Sequence, residues 1–143
     1  MIEVIIVLIL IGIISAVAYK SVPQDTMIQG TEFDKLVSHI RYVQTVSMAR
    51  SESWSISIDA SSYSLKNPSN VNVLLPGEDN TTINLRSLKI TGPATPITIK
   101  FDSKGRPIDN SAKILSDQTK TTIDTNYGKQ IIVVVYTGLV TIK

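Results

Sequence analysis

The chain carries one histidine, His39, and no cysteine, so most of the side-chain chemistry open to enzymes is closed to it. A Cys–His nucleophile pair is excluded, and the imidazole and thiolate ligands that zinc takes three or four at a time are missing. His39 stands next to an apolar stripe and is expected to be a surface or boundary residue. Glu78-Asp79, Asp102, Asp109 and Asp117 fall in turn-like sequence and offer oxygens of the kind calcium takes. Without the spacing of a calcium-binding loop, they read as turn chemistry. There is no glycine-rich phosphate loop. These residues point to a protein that is not an enzyme and uses no metal or cofactor.

Lys and Arg total 14 against 12 Asp and Glu, a net charge of +2, so bulk electrostatics argue neither for nor against nucleic acid. Arg86, Lys89, Lys104, Arg106, Lys129 and Lys143 could neutralise several phosphates if the fold gathered them on one side, with affinity falling steeply with salt. They are scattered and interspersed with acids, and a solvated face is the preferred reading. Glu3 is the ionisable group in the most unusual place, at the head of an apolar run. A carboxylate costs about 2.5 to 3.5 kcal/mol at the centre of a bilayer and less near its edge. Glu3 is therefore either interfacial or paired with a cationic group.

The element that positions Glu3 is the run itself. From Val4 through Ile14 only Gly12 interrupts Val, Ile and Leu, so the segment is apolar all round and calls for hydrocarbon or the dry centre of an assembly on every side. A span takes roughly 20 residues, and Val4 to Tyr19 is slightly short of that; residues missing before Met1 would make up the difference. Two other readings fit the same stretch. Ala16-Val17-Ala18 resembles a signal-peptidase site, although the segment before the run lacks the usual positive charge. An ordinary single-pass anchor without an assembly role is the other.

Pro23 predicts a break or kink near Lys20-Ser21-Val22, and Gly30 a second weak point. From Thr31, Phe33, Leu36, Val37, Ile40, Val43, Ser47 and Met48 recur at three- and four-residue steps. This predicts an amphipathic helix over 31–50, capped by Thr31 and ending near Arg50-Ser51. Thereafter the period is two. Strands are expected at Trp54–Ile58, Tyr63–Leu65, Val71–Leu75, Thr82–Leu85, Leu88–Thr91, Ile97–Phe101, Ala112–Leu115, Thr119–Thr125, Gln130–Tyr136 and Leu139–Ile142. Turns are expected at Pro76–Asn80, Asp102–Pro107 and Asn126–Lys129. The expected fold is α+β: a long N-terminal helix, apolar in its first half and amphipathic in its second, packed on an antiparallel sheet. Residues 1–30 form the apolar helix and neck, and residues 31–143 one small head without disulfides.

The segment Ile2-Glu3-Val4-Ile5-Ile6-Val7-Leu8-Ile9-Leu10-Ile11-Gly12-Ile13-Ile14 resembles the N-terminal helix of type IV pilins and type II secretion pseudopilins. The Gly, Phe and Thr of the family's peptidase cut site are absent, which is accounted for if the sequence begins within the leader-proximal motif. Within the head, Phe101-Asp102-Ser103-Lys104-Gly105-Arg106-Pro107 and the closing Ile131–Val140 segment resemble the minor pseudopilin H (FimT-like) branch. Leu139 departs from it, because DNA-binding members of that branch tend to have Arg after the Gly. The lack of cysteine also departs from many major pilins.

The resemblance implies a pilin-like fold and a minor pseudopilin of a type II secretion filament. Such a subunit is held in the bacterial inner membrane by a single pass with its head in the periplasm, and then assembles through the N-terminal helix. Glu3 would pair with the cationic, often methylated, N-terminal amine, and Gly12 to Pro23 would bound a flexible zone. Implied partners are other pilin-like subunits, a prepilin peptidase, the inner-membrane assembly platform and exoprotein cargo. The alternative is a minor type IV pilin in pilus assembly or DNA uptake, its head touching DNA through residues such as Arg86, Lys104, Arg106, Lys129 and Lys143.

Overall fold

Helix α1 (Ile2–Tyr19) and helix α2 (Gln24–Arg50) open the chain, in a computed structural model that describes residues 2–19, 24–108 and 120–143. Pro23 and the zone around it lie outside the described residues. α2 begins at Gln24 rather than at Thr31, and Gly30 is helical within it. Thr31 is therefore not a cap; its hydroxyl donates to the Met27 carbonyl oxygen one turn back (3.0 Å). The glycine has a packing reason, since a Cβ at position 30 would stand 3.1 Å from the Tyr127 hydroxyl oxygen.

The stripe of α2 works as its spacing requires. Phe33, Leu36, Val37, Ile40, Val43 and Ser47 are buried, and each large apolar side chain taken from water contributes about 1.5 to 3 kcal/mol. Met48 is instead exposed. Ser47 is tolerated in the core because its hydroxyl donates to the Val43 carbonyl (2.9 Å) and accepts the Trp54 N–H (3.2 Å). The helix ends in a Schellman arrangement: Glu52 N–H reaches the Ser47 carbonyl and Ser51 N–H the Met48 carbonyl. Ser51 takes the left-handed position at φ 53° that glycine usually fills.

Among the described residues ten strands follow: β1 (Trp54–Ile58), β2 (Ser62–Lys66), β3 (Asn72–Val73), β4 (Thr82–Asn84), β5 (Ile90–Gly92), β6 (Ile97–Phe101), β7 (Pro107–Ile108), β8 (Lys120–Thr125), β9 (Gln130–Val134) and β10 (Val140–Ile142). They form two antiparallel sheets. One has the order β3-β2-β1-β6-β7 with β4 also on β2, and the other the order β10-β9-β8-β5. Several strands are shorter than the β-propensity runs that announce them: Val71–Leu75 contracts to Asn72–Val73, and Gln130–Tyr136 stops at Val134. The expected strand at Ala112–Leu115 lies outside the described residues.

Register places the core. Trp54 opposes Phe101, Ile56 opposes Leu65 and Ile99, and Ile58 opposes Tyr63 and Ile97. With period-two alternation these side chains share one face of the first sheet. They join Phe33, Leu36, Ile40 and Val43 of α2, and Ile123, Ile131 and Val133 of the second sheet, in a single cluster.

Candidate assembly helix and head surface

α1 is the apolar element without a covering. Its apolar residues from Ile2 to Ile14 are between 51% (Ile6) and 73% (Ile2) exposed, and a Cβ at Gly12 would meet nothing within 4 Å. Glu3 lies in the first turn, where a carboxylate suits the positive end of the helix dipole. Among the described residues, no helix is long and apolar enough to cross a membrane.

α2 is tied to the head by polar contacts along its length. Glu32 accepts backbone N–H bonds from Arg86 (2.7 Å), Ser87 (3.1 Å) and Leu88 (2.8 Å). Burial pushes this carboxyl up, but the three donors and the Arg86 guanidinium outweigh burial and hold it below the usual range. Gln29 donates to the Ser87 carbonyl, Arg41 to that of Val140 and Gln44 to that of Gly105. Nothing in the sequence distinguishes Glu32 from a solvated helical glutamate, because its partners are backbone groups far along the chain.

His39 is not a surface residue. It is 7% exposed, and its Nδ1 is 2.9 Å from the Tyr63 hydroxyl. Its Nε2 lies 3.9 Å from Glu78, which is ion-paired to Lys35 at 2.5 Å. Burial pushes the imidazole below its ordinary range, against the opposing pull of Glu78 and the Pro76 carbonyl. Burial, then the charges of Glu78 and Glu32, raise the Tyr63 hydroxyl. The cluster fastens the turn after Leu75 to α2. The signal was present in the spacing: position 39 follows Leu36 by one helical step and precedes Val43 by another.

The basic residues divide between two places. Lys104 and Arg106 belong to the β6–β7 turn, whose Gly105 packs on Gln44 and Met48 near the C-terminal end of α2. Arg106 is bound to Asp102 through Nε (2.8 Å) and Nη2 (2.7 Å). Burial raises the Asp102 carboxyl, but hydrogen bonds from Arg106 and Lys104 more than offset this and lower it. Arg86, Lys129 and Lys143 lie at the other end of the head, near the N-terminal half of α2. Lys129 sits 5.8 Å from the centre of the Phe33 ring and 5.2 Å from that of Tyr127. Asp109 and Asp117 lie outside the described residues. Among the described residues no three His, Asp or Glu side chains converge as a metal site would require.

The turn between β9 and β10 backs onto the β6–β7 turn. Gly138 has φ 68°, and a Cβ there would fall onto the Gly105 carbonyl oxygen. This close backbone approach accounts for Gly138, whereas Gly105 is accounted for by its own positive φ (75°) and by the Met48 and Gln44 side chains that a Cβ there would meet.

No protein-family profile matches the chain, and no curated protein matches it. Among solved structures, it is similar to the type IV minor pilin FimU of Pseudomonas aeruginosa. The match has 14% identity and a TM-score of 0.53, and covers 77% of this chain and 88% of that one. An N-terminal helix on antiparallel sheet, in the same arrangement as that pilin, gives this chain a type IV pilin-like fold.

Proposed function

We propose that the chain is a minor pseudopilin, a low-copy, non-enzymatic subunit of a type II secretion filament. The observation that supports this reading best is α1: a helix exposed and apolar on every side, joined to a head with its own complete core. A helix keeps its backbone hydrogen bonds in lipid and among other helices alike, so one surface serves first as the inner-membrane anchor and then as the filament contact. Glu3 then meets the N-terminal amine of a neighbouring subunit, or its own, since an unpaired carboxylate in a dry helical core is costly. The prepilin peptidase and the assembly platform act on that same end of the chain, and the periplasmic head is left to meet partner pseudopilins or exoprotein cargo.

The test is incorporation. Glu3→Ala is expected to leave membrane insertion intact and to remove the subunit from purified filaments, with Glu3→Asp partly retained. Normal incorporation of Glu3→Ala refutes the pairing.

A second reading, a minor type IV pilin, has the FimU likeness behind it; that its head touches DNA rests on the exposed basic residues alone. Gel shifts with the chain begun at Gln24, which keeps all of α2, separate the two. Micromolar binding to duplex DNA that weakens steeply with salt supports the pilin reading, and its absence supports the secretion reading.

A further inference from the structure

All four strands of the second sheet have an end on the same side of the head. β5 starts there, β8 ends there, β9 starts there and β10 ends there. Lys89 precedes β5, Lys129 makes the β8–β9 turn and Lys143 follows β10, while Arg86 stands just before Lys89. Backbone bonds join these segments: Asn126 N–H to the Lys89 carbonyl (3.0 Å), and Gln130 and Lys143 to each other (2.9 and 3.0 Å). The Asn126 side chain adds bonds to Lys89 N–H and the Ser87 carbonyl. The cations therefore form a row across about three strand spacings, some 15 Å.

The row is exposed, and its lysines are not ion-paired among the described residues. Arg86, Lys89, Lys129 and Lys143 are all exposed. Lys89, Lys129 and Lys143 take part in none of the ion pairs among the described residues. The nearby acids keep their charge but are turned to neutral donors instead of the lysines: Glu32 to three backbone N–H groups, Asp124 to the Gln130 amide (2.6 Å) and Asp59 to Ala60 N–H (2.7 Å). At the opposite end of this sheet the β9–β10 turn, Val135 to Leu139, has no charge and exposes Tyr136 and Leu139, while the exposed Lys120 opens β8 there as a single cation.

The basic end is also the end at which α2 begins. Its loops touch α2 at Gln29, Gly30, Glu32 and Phe33. Gln29 follows Tyr19 by ten residues (29 − 19), a short reach along the chain.

We propose that this row is a docking rim for the anionic phospholipid surface beside which α1 is held. The inference rests on the membrane-anchor reading of α1. Each Lys or Arg near a negatively charged bilayer adds attraction that decays within a Debye length, about 10 Å at 0.1 M salt. The rim turns the more basic end of the head toward the lipid and leaves the β9–β10 turn pointing away, so the head is oriented before assembly.

The test uses the full chain, whose lack of cysteine allows a single labelled site. Ser61→Cys is exposed and lies on the turn bonded to Leu85 and Ile90 next to the rim. The labelled protein is reconstituted into neutral phosphatidylcholine vesicles and into vesicles with about 30% phosphatidylglycerol, each with a trace of headgroup-bound quencher. The expected result is at least about twofold stronger quenching on the anionic vesicles at 0.05 M salt, lost at about 0.5 M salt and in R86Q/K89Q/K129Q/K143Q. Equal quenching on both vesicles overturns the rim. If the fourfold variant fails to fold by circular dichroism, the salt series on the wild type decides alone.

Flotation separates the underlying reading. Failure to float with neutral vesicles overturns the anchor, and the rim is then judged by salt-sensitive flotation with the anionic ones. Duplex DNA shifted by the wild type but not by the variant, and displacing the head from anionic vesicles, reassigns the rim to nucleic acid and overturns the proposal.

Discussion

Glu32→Ala removes the acceptor for three backbone N–H groups at once, and its cost can be worked from the contacts. A hydrogen bond to a charged group contributes about 1.5 to 3 kcal/mol where water cannot replace it. The Arg86 N–H is exposed and hydrates readily after the change, whereas those of Ser87 and Leu88 are part-buried. Two effective bonds, partly replaced by water, give about 2 to 4 kcal/mol, and Glu32→Gln, which keeps an oxygen but not the charge, about 1 to 2 kcal/mol. At roughly 4 °C per kcal/mol for a domain of this size, Glu32→Ala lowers the melting temperature by about 8 to 16 °C.

The chain's single tryptophan, Trp54, is 5% exposed and reports unfolding in urea directly. Because the folded-state pKa of Glu32 is depressed, its contribution is fully present above the ordinary carboxyl value of 4.5 and is lost as pH falls through the lower, folded value. The stability difference between wild type and Glu32→Gln is therefore flat from pH 7 to about 5 and shrinks below about 4.5. Faster amide exchange at residues 86–88 in Glu32→Ala localises the effect. A loss under about 0.5 kcal/mol, or a difference that does not change down to pH 3, refutes the clamp.

Three further outcomes follow from the same geometry. Ser51→Gly relieves a left-handed residue at the end of α2 and raises stability by about 0.5 to 1 kcal/mol, read by urea unfolding; no gain contradicts the Schellman assignment. Gly138→Ala places a methyl on the Gly105 carbonyl and costs about 2 kcal/mol or more, whereas Gly77→Ala, equally left-handed but open, costs only about 1 kcal/mol. His39, held neutral by burial, adds stability that is present above about pH 6.5 and lost as pH falls through its lower folded value. Its imidazole should titrate below 6.5 by NMR, and His39→Gln should flatten that part of the stability curve.

Local rules carried the strands and turns well. The alternation of Trp54, Ile56 and Ile58 needed no partner to be read, and the β6–β7 turn was announced by Asp102 to Pro107. Helix propensity sets the start of α2 after Gly30, yet the helix begins at Gln24 and runs through that glycine; the ring that needs the space, Tyr127, comes almost a hundred residues later. His39, expected at the surface or boundary beside the apolar stripe, is buried, and its spacing belongs to the stripe. The basic residues defeated local reading most fully. Neutralisation of Arg106 by Asp102 is a short-range event across one turn, but the row formed by Lys89, Lys129 and Lys143 exists only once β5, β8, β9 and β10 have paired.

Arg41 has a consequence beyond holding α2 to the head. Its guanidinium donates to the Val140 carbonyl (3.0 Å) on β10, the outermost strand on that side of its sheet. At the sheet's other border, β5 is three residues long, has a register shift between Ile90 and Gly92 and runs into Pro93. One border is occupied and the other is too short and irregular to template a new strand. A second copy therefore finds no ready border of this sheet on which to add a strand.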